Sequence, residues 1–204
     1  MTVERVPVAV LVSGGGTNLQ ALIDAEKSGI INSAHIALVV SNHKEAYALQ
    51  RAEKAGIATF VADKKDFPSQ ETFENAIICA LDNAGIRLIV LAGFMSILSE
   101  KFTSRYADRI LNVHPSLIPK FCGKGFYGLK VHEAVLAAGE KVTGATVHFV
   151  NEIPDGGEII FQKEVAVHEG DTPEILQRRV MEEAEWKLLP AAVEKVAKDL
   201  ICEN

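Results

Sequence analysis

The apolar run VPVAVLV, at Val6–Val12, restricts the fold of this chain more than any other feature. A strand with one solvated face alternates apolar and polar residues, whereas an uninterrupted run is typical of a strand buried on both faces. The segment SGGG follows at once, and apolar residues then recur at helical spacing from Thr17 to Gly29. A buried strand, a tight turn and a helix in this order predict the first unit of an α/β sheet.

Strands and helices continue to alternate through the first half of the chain. Further strands are predicted at His35–Ser41 and Ile86–Ala92, and helices at Lys44–Ala55 and Pro68–Gly85. This alternation predicts an open, mostly parallel, Rossmann-like sheet flanked by helices.

The second half has a different pattern. A strand around Ile110–Val113 is followed by a predicted helix at Leu129–Gly139, strands at Gly144–Val150 and Glu158–Val167, and a last helix at Thr172–Lys198, interrupted near Pro190. The loop NEIPDGG joins the two late strands, so we expect antiparallel pairing there. We take 1–204 as one domain with halves of about 1–105 and 106–204.

Composition and charge exclude several classes of protein. Of the 204 residues, 48% are hydrophobic and 24% charged, which is typical of a soluble globular protein. The net charge of -6 argues against nucleic-acid binding, since phosphate backbones select basic surfaces. Three cysteines without a CxxC pair favour a reducing compartment. The first apolar run ends too early for a signal peptide or a membrane span, so we expect a cytoplasmic protein.

The loop LVSGGGTNLQ is a candidate anion site. Its glycines let the backbone approach an anion, and the helix that follows presents free N–H groups. Leu19 stands where a dinucleotide fingerprint has its third glycine, and the lysine of a Walker loop is absent. We therefore predict a site for a single phosphate. The alternative is a tight turn without a ligand.

The stretch RILNVHPSLIP ends a strand with two polar side chains. Asn112 and His114 are two residues apart, so both point to one face, and Pro115 stops the strand. Ligands bind beyond the carboxyl ends of strands in such sheets, although a structural histidine and a local cap would also explain the pair. Asp155, in IPDGGEII, is a candidate to orient the imidazole, but on spacing alone a hairpin turn explains it better.

The other chemically active residues give weaker signals. Cys122 lies in the loop KFCGKGFYG with no evident base. His132, His148 and His168 are interpreted as helix-face, strand and surface residues. No histidine or cysteine spacing indicates a metal site.

Five segments together resemble a known family. They are SGGGTNLQ, VLAGFMSIL, LNVHPSLIPKF, GATVHFV and IPDGGEII, in this order. They make the chain, from about Val6 to Pro190, similar to the phosphoribosylglycinamide formyltransferases (glycinamide ribonucleotide transformylases) of the folate formyltransferase superfamily. The segment NVHPSLIP with a downstream Asp-Gly-Gly is specific for the superfamily, and SGGGTNLQ narrows the resemblance to this member.

The resemblance implies an enzyme of de novo purine biosynthesis. It would transfer the formyl group of 10-formyltetrahydrofolate, a co-substrate, to the amine of glycinamide ribonucleotide. Asn112 would donate a hydrogen bond to the tetrahedral oxyanion, and His114, as an imidazolium, would add charge and donate a proton. Asp155 would hold His114 in its charged form and, through water, relay the proton that leaves the amine.

The resemblance also assigns the substrate-binding residues. Gly16, Thr17 and Asn18 would bind the substrate phosphate. Glu185 would contact the ribose, and Glu183 is the competing assignment because RVMEEAEWKLLP carries one residue more than the family pattern.

The folate pocket would be formed mainly by apolar residues from three segments. These are Leu91, Phe94, Met95, Ser96, Ile97, Leu98, Ile110, Val150, Asn151 and Glu152. Ser96 stands where many relatives have an arginine near the folate glutamate tail. We expect no metal and no tightly bound cofactor, only small-molecule substrates, no nucleic acid or membrane partner, and a monomer or weak homodimer.

Four alternatives remain open. A formyltetrahydrofolate deformylase shares Asn112, His114 and Asp155 but lets water attack, and we expect no room for its N-terminal regulatory domain. A methionyl-tRNA formyltransferase would need a C-terminal domain and a basic surface, which we do not expect here. A non-catalytic phosphate- or nucleotide-binding protein would need only the glycine loop. A transferase based on Cys122 would be inactivated by thiol alkylation.

Overall fold

A seven-stranded sheet organises the computed structural model, which describes residues 4–203. The strands lie in the order β3-β2-β1-β4-β5-β6-β7. Their bounds are β1 Val6–Val12, β2 Ala34–Ser41, β3 Ala58–Val61, β4 Leu88–Leu91, β5 Ile110–His114, β6 Val142–Phe149 and β7 Ile159–Ala166. The pairs from β3 to β5 are parallel, and β6 and β7 are antiparallel to their neighbours. The predicted fold class is confirmed.

Seven α-helices accompany the sheet in the described part of the chain. They are α1 Thr17–Lys27, α2 Tyr47–Lys54, α3 Gln70–Asn83, α4 Glu100–Arg105, α5 Leu129–Ala137, α6 Pro173–Val180 and α7 Trp186–Cys202. A 3-10 turn lies at Lys64–Asp66, and a π-helical turn at Met181–Glu185 joins α6 to α7. Within residues 4–203, no helix is both long and apolar enough to span a membrane.

Strand β1 is buried on both faces because helices cover both sides of the sheet. Val8 and Val10 pack in one apolar cluster with residues of α1 and α7, such as Leu22 and Val193. The alternate residues of β1 pack in a second cluster with α3 and α4, which includes Phe73. Helix α7, far along the chain, thus completes the core around the first strand.

Two elements of the first half were not predicted, β3 and α4. Strand β3 has four residues, mostly exposed, at the edge of the sheet, so it carries no apolar run. Helix α4 has six residues and is held by the Ser99 side chain, which accepts from the Phe102 N–H. Both elements are too short for a periodic pattern to identify them.

The predicted interruption of the last helix near Pro190 is wrong. Pro190 lies inside α7, and the α-helical path changes at the π turn Met181–Glu185 instead. A π turn accommodates one residue more than an α turn. Proline is visible in a sequence, whereas a π turn has no marker residue.

Candidate active site

Strand β5 aims Asn112 and His114 at the carboxyl edge of the sheet. It runs parallel to β4 on one side and antiparallel to β6 on the other. His114 is buried, with 4% of its surface exposed, and Asn112 is partly buried. The sequence prediction that the two side chains share one face holds because their spacing is two.

The loop after β6 brings Asp155 to the same place. Asp155 Oδ2 lies 3.5 Å from His114 Nδ1, and Asp155 Oδ1 accepts a 3.4 Å hydrogen bond from Asn112 Nδ2. Asp155 has a φ of 55°, and Gly157 is needed because a Cβ there would lie 1.8 Å from the Phe149 carbonyl oxygen. The structure therefore brings Asp155, which is distant in the sequence, against Asn112 and His114.

Asp155 is an ionised acceptor in this environment. Burial alone would raise the pKa of its carboxyl group. The hydrogen bond from His148, the charge of His114 and a 2.8 Å hydrogen bond from the Gly123 N–H outweigh burial and hold this pKa below its usual value.

The two ring nitrogens of His114 have different partners. Nε2 lies 2.8 Å from the carbonyl oxygen of Phe121, to which it donates, so Nδ1 is the nitrogen that faces Asp155. When the ring is an imidazolium, Nδ1–H can donate to the carboxylate. The loop backbone thus fixes the orientation of the imidazole.

His148 is a fourth member of the cluster, and its interpretation as an ordinary strand residue was incomplete. Its Nδ1 donates to the Phe149 carbonyl oxygen over 2.7 Å, so Nε2 of the neutral ring presents a lone pair to Asn112 Nδ2, 3.2 Å away. When the ring is protonated, Nε2–H instead faces Asp155 Oδ1, 3.5 Å away. His148 pairs directly with Asn112 across β5 and β6. Strand register was the signal that could have found it, and register cannot be read from the sequence alone.

The loop after β5 is braced by side chains from β6 and β7. Thr146 Oγ1 donates to the Ser116 carbonyl oxygen over 2.7 Å, and Gln162 Nε2 donates to both Thr146 Oγ1 and the Ile118 carbonyl oxygen, each over 2.9 Å. The Ile118–Pro119 peptide bond is cis. These hydrogen bonds hold the Phe121 carbonyl against His114 and the Gly123 N–H against Asp155.

Cys122 lies in the same loop, but its environment does not activate it. Its Sγ donates to the Pro119 carbonyl oxygen over 3.3 Å. Burial and the charge of Asp155 both raise the pKa of the thiol. A raised pKa disfavours the thiolate, so the chemistry of this site argues against a cysteine nucleophile.

A cavity of about 130 Å³ opens beside Asn112, His148 and Asp155. Most of the predicted folate residues line it, namely Leu91, Phe94, Ser96, Ile97, Leu98, Val150, Asn151 and Glu152. Ile110 does not line the cavity, because it is fully buried in the core, and the exposed Met95 does not line it either. Ile153 and Pro154, in the stretch Asn151–Asp155 whose backbone the resemblance places at the pocket wall, also line the cavity, and Thr103 does so without having been predicted.

The segment 92–99 forms one wall of this cavity without regular structure. The Met95 N–H donates to Ser13 Oγ over 2.8 Å, and the Ser99 N–H donates to Glu74 Oε1 over 2.7 Å. Gln70 Nε2 donates to the Ile97 carbonyl oxygen over 3.0 Å. Side chains from other elements therefore replace the backbone partners that a helix or a strand would provide.

The glycine loop turns its carbonyl groups towards α2. Gly14 accepts from the Ala48 N–H over 3.0 Å, and Gly15 accepts from Arg51 Nε over 2.8 Å. Gly16 caps α1 at a φ of 71°, and a Cβ there would lie 2.6 Å from Ala48 Cβ. No side chain caps the first turn of α1, so its N–H groups remain available to an anion.

The π turn packs against the first turn of α1. Asn18 Nδ2 donates to Glu185 Oε2 over 2.7 Å, and both side chains are more than nine-tenths buried. Burial raises the pKa of Glu185 to about 7, although the Asn18 hydrogen bond opposes this shift. Glu183 is exposed on the same turn. The π turn thus directs Glu185 towards the glycine loop and leaves Glu183 exposed.

Within residues 4–203, no group of three or more histidine, cysteine, aspartate and glutamate side chains is arranged to hold a metal ion. A second cavity, of about 480 Å³, lies where Ser13, Gly14 and Gly15 meet Tyr47 and Lys65. Gly16, Thr17 and Asn18 do not line it.

Comparisons with known proteins agree with this geometry. The chain is 48% identical over 198 residues to the trifunctional purine biosynthetic protein adenosine-3 of Gallus gallus, which covers 97% of this chain but only 19% of that protein. The chain thus spans about a fifth of the length of such relatives. It is 44% identical to the phosphoribosylglycinamide formyltransferase of Haemophilus influenzae, covering 91% of this chain and 84% of that one.

Solved structures give the same result. The crystal structure of phosphoribosylglycinamide formyltransferase from Brucella melitensis is similar at a TM-score of 0.86 and 46% identity, over 95% of this chain and 96% of that chain. Glycinamide ribonucleotide transformylase 1 from Symbiobacterium toebii is similar at a TM-score of 0.89 and 39% identity, over 96% of this chain and 89% of that chain. The model of the formyl transferase family matches residues 6–193, so that nearly the whole sheet, the polar cluster and the cavity fall within the match. On these grounds, the chain belongs to the formyl transferase family.

Proposed function

We propose that this protein transfers the formyl group of 10-formyltetrahydrofolate to the amine of glycinamide ribonucleotide, a step of de novo purine biosynthesis. The convergence of Asn112, His114 and Asp155 beside a cavity is the observation that carries the proposal. The names of the Haemophilus and Brucella relatives support the choice of acceptor.

Asn112 is proposed to stabilise the oxyanion. The substrate amine attacks the formyl carbon, a C–N bond forms, and negative charge develops on the formyl oxygen. Asn112 Nδ2 holds one firm partner, His148 Nε2 at 3.2 Å, and one long contact, Asp155 Oδ1 at 3.4 Å. The oxyanion would replace Asp155 Oδ1 as the acceptor of the second Nδ2–H. A preorganised donor of this kind stabilises the transition state by about 3–4 kcal/mol.

His114 and Asp155 are proposed to move the protons. The attacking amine loses a proton, which passes through water to Asp155. The bond between the former formyl carbon and N10 breaks, and His114 donates its Nδ1 proton to the departing N10, because Nε2–H is held by the Phe121 carbonyl oxygen. Asp155, ionised and 3.5 Å from Nδ1, holds the imidazolium in position for this step.

The two substrates would meet across a short distance. Only β4 separates β1, which precedes the glycine loop, from β5, which carries Asn112. Two strand spacings are about 10 Å, a length that one ribonucleotide can bridge. We propose that Gly16, Thr17 and the first turn of α1 bind its phosphate and that Glu185 contacts its ribose. The folate would occupy the cavity, with Ile97 and Ile153, which are 71% and 58% exposed, along its rim.

Three further predictions belong to this proposal. The N-terminal half would hold the phosphate and the C-terminal half most of the catalytic and folate groups, within one domain. The protein would act in the cytoplasm as a monomer or weak homodimer. It would need no tightly bound cofactor, since the folate is consumed in each turnover.

A formyl-transfer assay tests the function directly. Purified protein is mixed with 10-formyltetrahydrofolate, with and without glycinamide ribonucleotide, and the absorbance of the deformylated folate is followed. We expect product only when the ribonucleotide is present, and Asp155→Asn should abolish most of it. Equal product without the ribonucleotide would instead identify a deformylase, and no product in either mixture would contradict catalysis.

A further inference from the structure

The contact between Asn18 and Glu185 is unusual because it buries an acid without a cation. Glu185 is 6% exposed and Asn18 is 9% exposed. A buried carboxylate normally has a positive partner, since desolvating a lone charge is costly. The only hydrogen bond found for the Glu185 carboxyl group within residues 4–203 comes from Asn18 Nδ2.

The charged groups on neighbouring elements do not supply that partner. Glu182 and Glu183 lie on the same π turn, Arg178 and Arg179 on α6, Lys187 on α7, and Lys163 and Glu164 on β7. Arg178 pairs with Glu182, and Arg179 pairs with Asp171. None of these groups forms an ion pair or hydrogen bond with Glu185 in the described part of the chain.

The Asn18 amide also has a polar atom without a hydrogen-bond partner in the part of the chain that the structure describes. Its Oδ1 is buried and has no hydrogen-bond partner among residues 4–203, while its Nδ2 donates to Glu185 Oε2. A protonated carboxyl group is both a donor and an acceptor, and an amide is both as well. A neutral Glu185 would satisfy Oδ1 and Nδ2 together, whereas an ionised Glu185 leaves Oδ1 orphaned at a cost of about 1–3 kcal/mol.

We propose that Glu185 and Asn18 form a neutral acid–amide pair that sets the first turn of α1, and that binding of the phosphorylated substrate there drives proton uptake by Glu185. This inference rests on the proposed phosphate site and deepens it. Asn18 is the second residue of α1, so a phosphate at the helix N-terminus lies close to the pair. Like charges in a buried place repel, so the phosphate favours the neutral acid.

Burial and the nearby phosphate together determine that binding leads to proton uptake rather than release. Burial raises the pKa of Glu185 to about 7, so roughly half of the groups are ionised in the free protein at neutral pH. A bound phosphate raises this pKa further, and up to about half a proton per site is taken up at pH 7. A neutral carboxyl group keeps acceptor lone pairs, so Glu185 can still accept from a ribose hydroxyl.

The first measurement needs no substrate. Carbon-13 NMR of glutamate carboxyl groups in the free protein, with Glu185→Gln to assign the signal, should give a midpoint near 7 for Glu185. A midpoint at an ordinary value near 4.5 would overturn the acid–amide pair. Because no ligand is involved, this result is independent of whether the proposed function is correct.

The second measurement tests the coupling. Glycinamide ribonucleotide is titrated calorimetrically at pH 7 in two buffers of different ionisation enthalpy. Wild type should take up a fraction of a proton, and Glu185→Gln should take up none. The matched control, Glu183→Gln on the same turn, should behave as wild type.

Three results would contradict the coupling. They are proton release on binding, equal uptake in Glu185→Gln, and buffer-independent heats in wild type. Proton release would mean that an ionised carboxylate binds the ribose. Absence of any binding would contradict the proposed function instead, and would leave the NMR result standing.

Discussion

The loops that follow β1 and β5 lie at the same edge of the sheet, yet they are built in opposite ways. After β1, the backbone forms the site, with the carbonyls of Gly14 and Gly15 bound to α2 and Gly16 in a left-handed conformation. After β5, side chains form the site, and the backbone of Phe121 and Gly123 only holds them.

This difference determines how each region responds to change. A site made of backbone fails when a side chain is added, because a Cβ has no space and the conformation is strained. A site made of side chains fails when an atom is removed, because its partners lose their hydrogen bonds. The following predictions separate these two modes, beginning with the largest expected effect.

Asn112→Ala should have the largest effect. Removing the proposed oxyanion donor should lower kcat by roughly 10²–10³-fold with little change in KM for glycinamide ribonucleotide. Steady-state kinetics and a thermal melt measure both quantities. A variant that melts like wild type and keeps its kcat would show that Asn112 is not the oxyanion donor.

Gly16→Ala should destabilise the fold by about 1–3 kcal/mol, because it combines a positive φ with a methyl group 2.6 Å from Ala48 Cβ. Urea unfolding measures this change. Gly14→Ala is the matched control, since nothing lies within 4 Å of its Cβ. Adding Ala48→Gly to Gly16→Ala should recover only part of the loss, because the Ala48 Cα still lies 2.9 Å from the new Cβ and the backbone strain stays. Equal stability of both glycine variants would contradict the steric argument.

His148→Ala should lower kcat by less than Asn112→Ala does. Asn112 keeps its amide but loses the acceptor that orients it, at a cost of about 1–3 kcal/mol. The double variant of Asn112 and His148 should therefore be little worse than Asn112→Ala alone. Additive losses in this cycle would mean that His148 acts independently of Asn112.

Glu74→Ala should have the smallest effect and should act on the folate alone. It removes the acceptor of the Ser99 N–H, so the cavity wall 92–99 loosens and KM for the folate rises by roughly threefold to tenfold. KM for the ribonucleotide should stay constant. Glu71→Ala is the control, because Glu71 makes only an exposed pair with Lys101. An equal rise in KM for the folate and for the ribonucleotide would mean that Glu74→Ala disturbs the whole fold rather than the folate cavity.

The same contrast explains which parts of the molecule the sequence could predict. Val6–Val12 was predicted with its observed bounds because a doubly buried strand leaves an unbroken apolar run. β3 was missed because four mostly exposed residues at an edge leave none. Gly16 was identifiable because a left-handed conformation selects glycine at that position.

The polar cluster could be predicted only in part. Asn112 and His114 were paired from their spacing, which is local information. The positions of Asp155 and His148 depend on the register of β5 with β6 and on a loop with positive φ, which are tertiary properties. The Phe121 carbonyl left no signal, because any residue could supply that group. The orientation of Glu185 depends on a π turn that no residue type marks.

The packing of α7 has a consequence for how the chain is made. Val193 and Val196 of this helix belong to the same core cluster as Val8 and Leu22, although they lie far along the chain from that strand and helix. While the chain is still on the ribosome, the apolar face of the first strand and helix lacks its cover. We therefore expect the first strand and helix to keep an exposed apolar surface, prone to aggregation, until α7 has been synthesised and can pack against them.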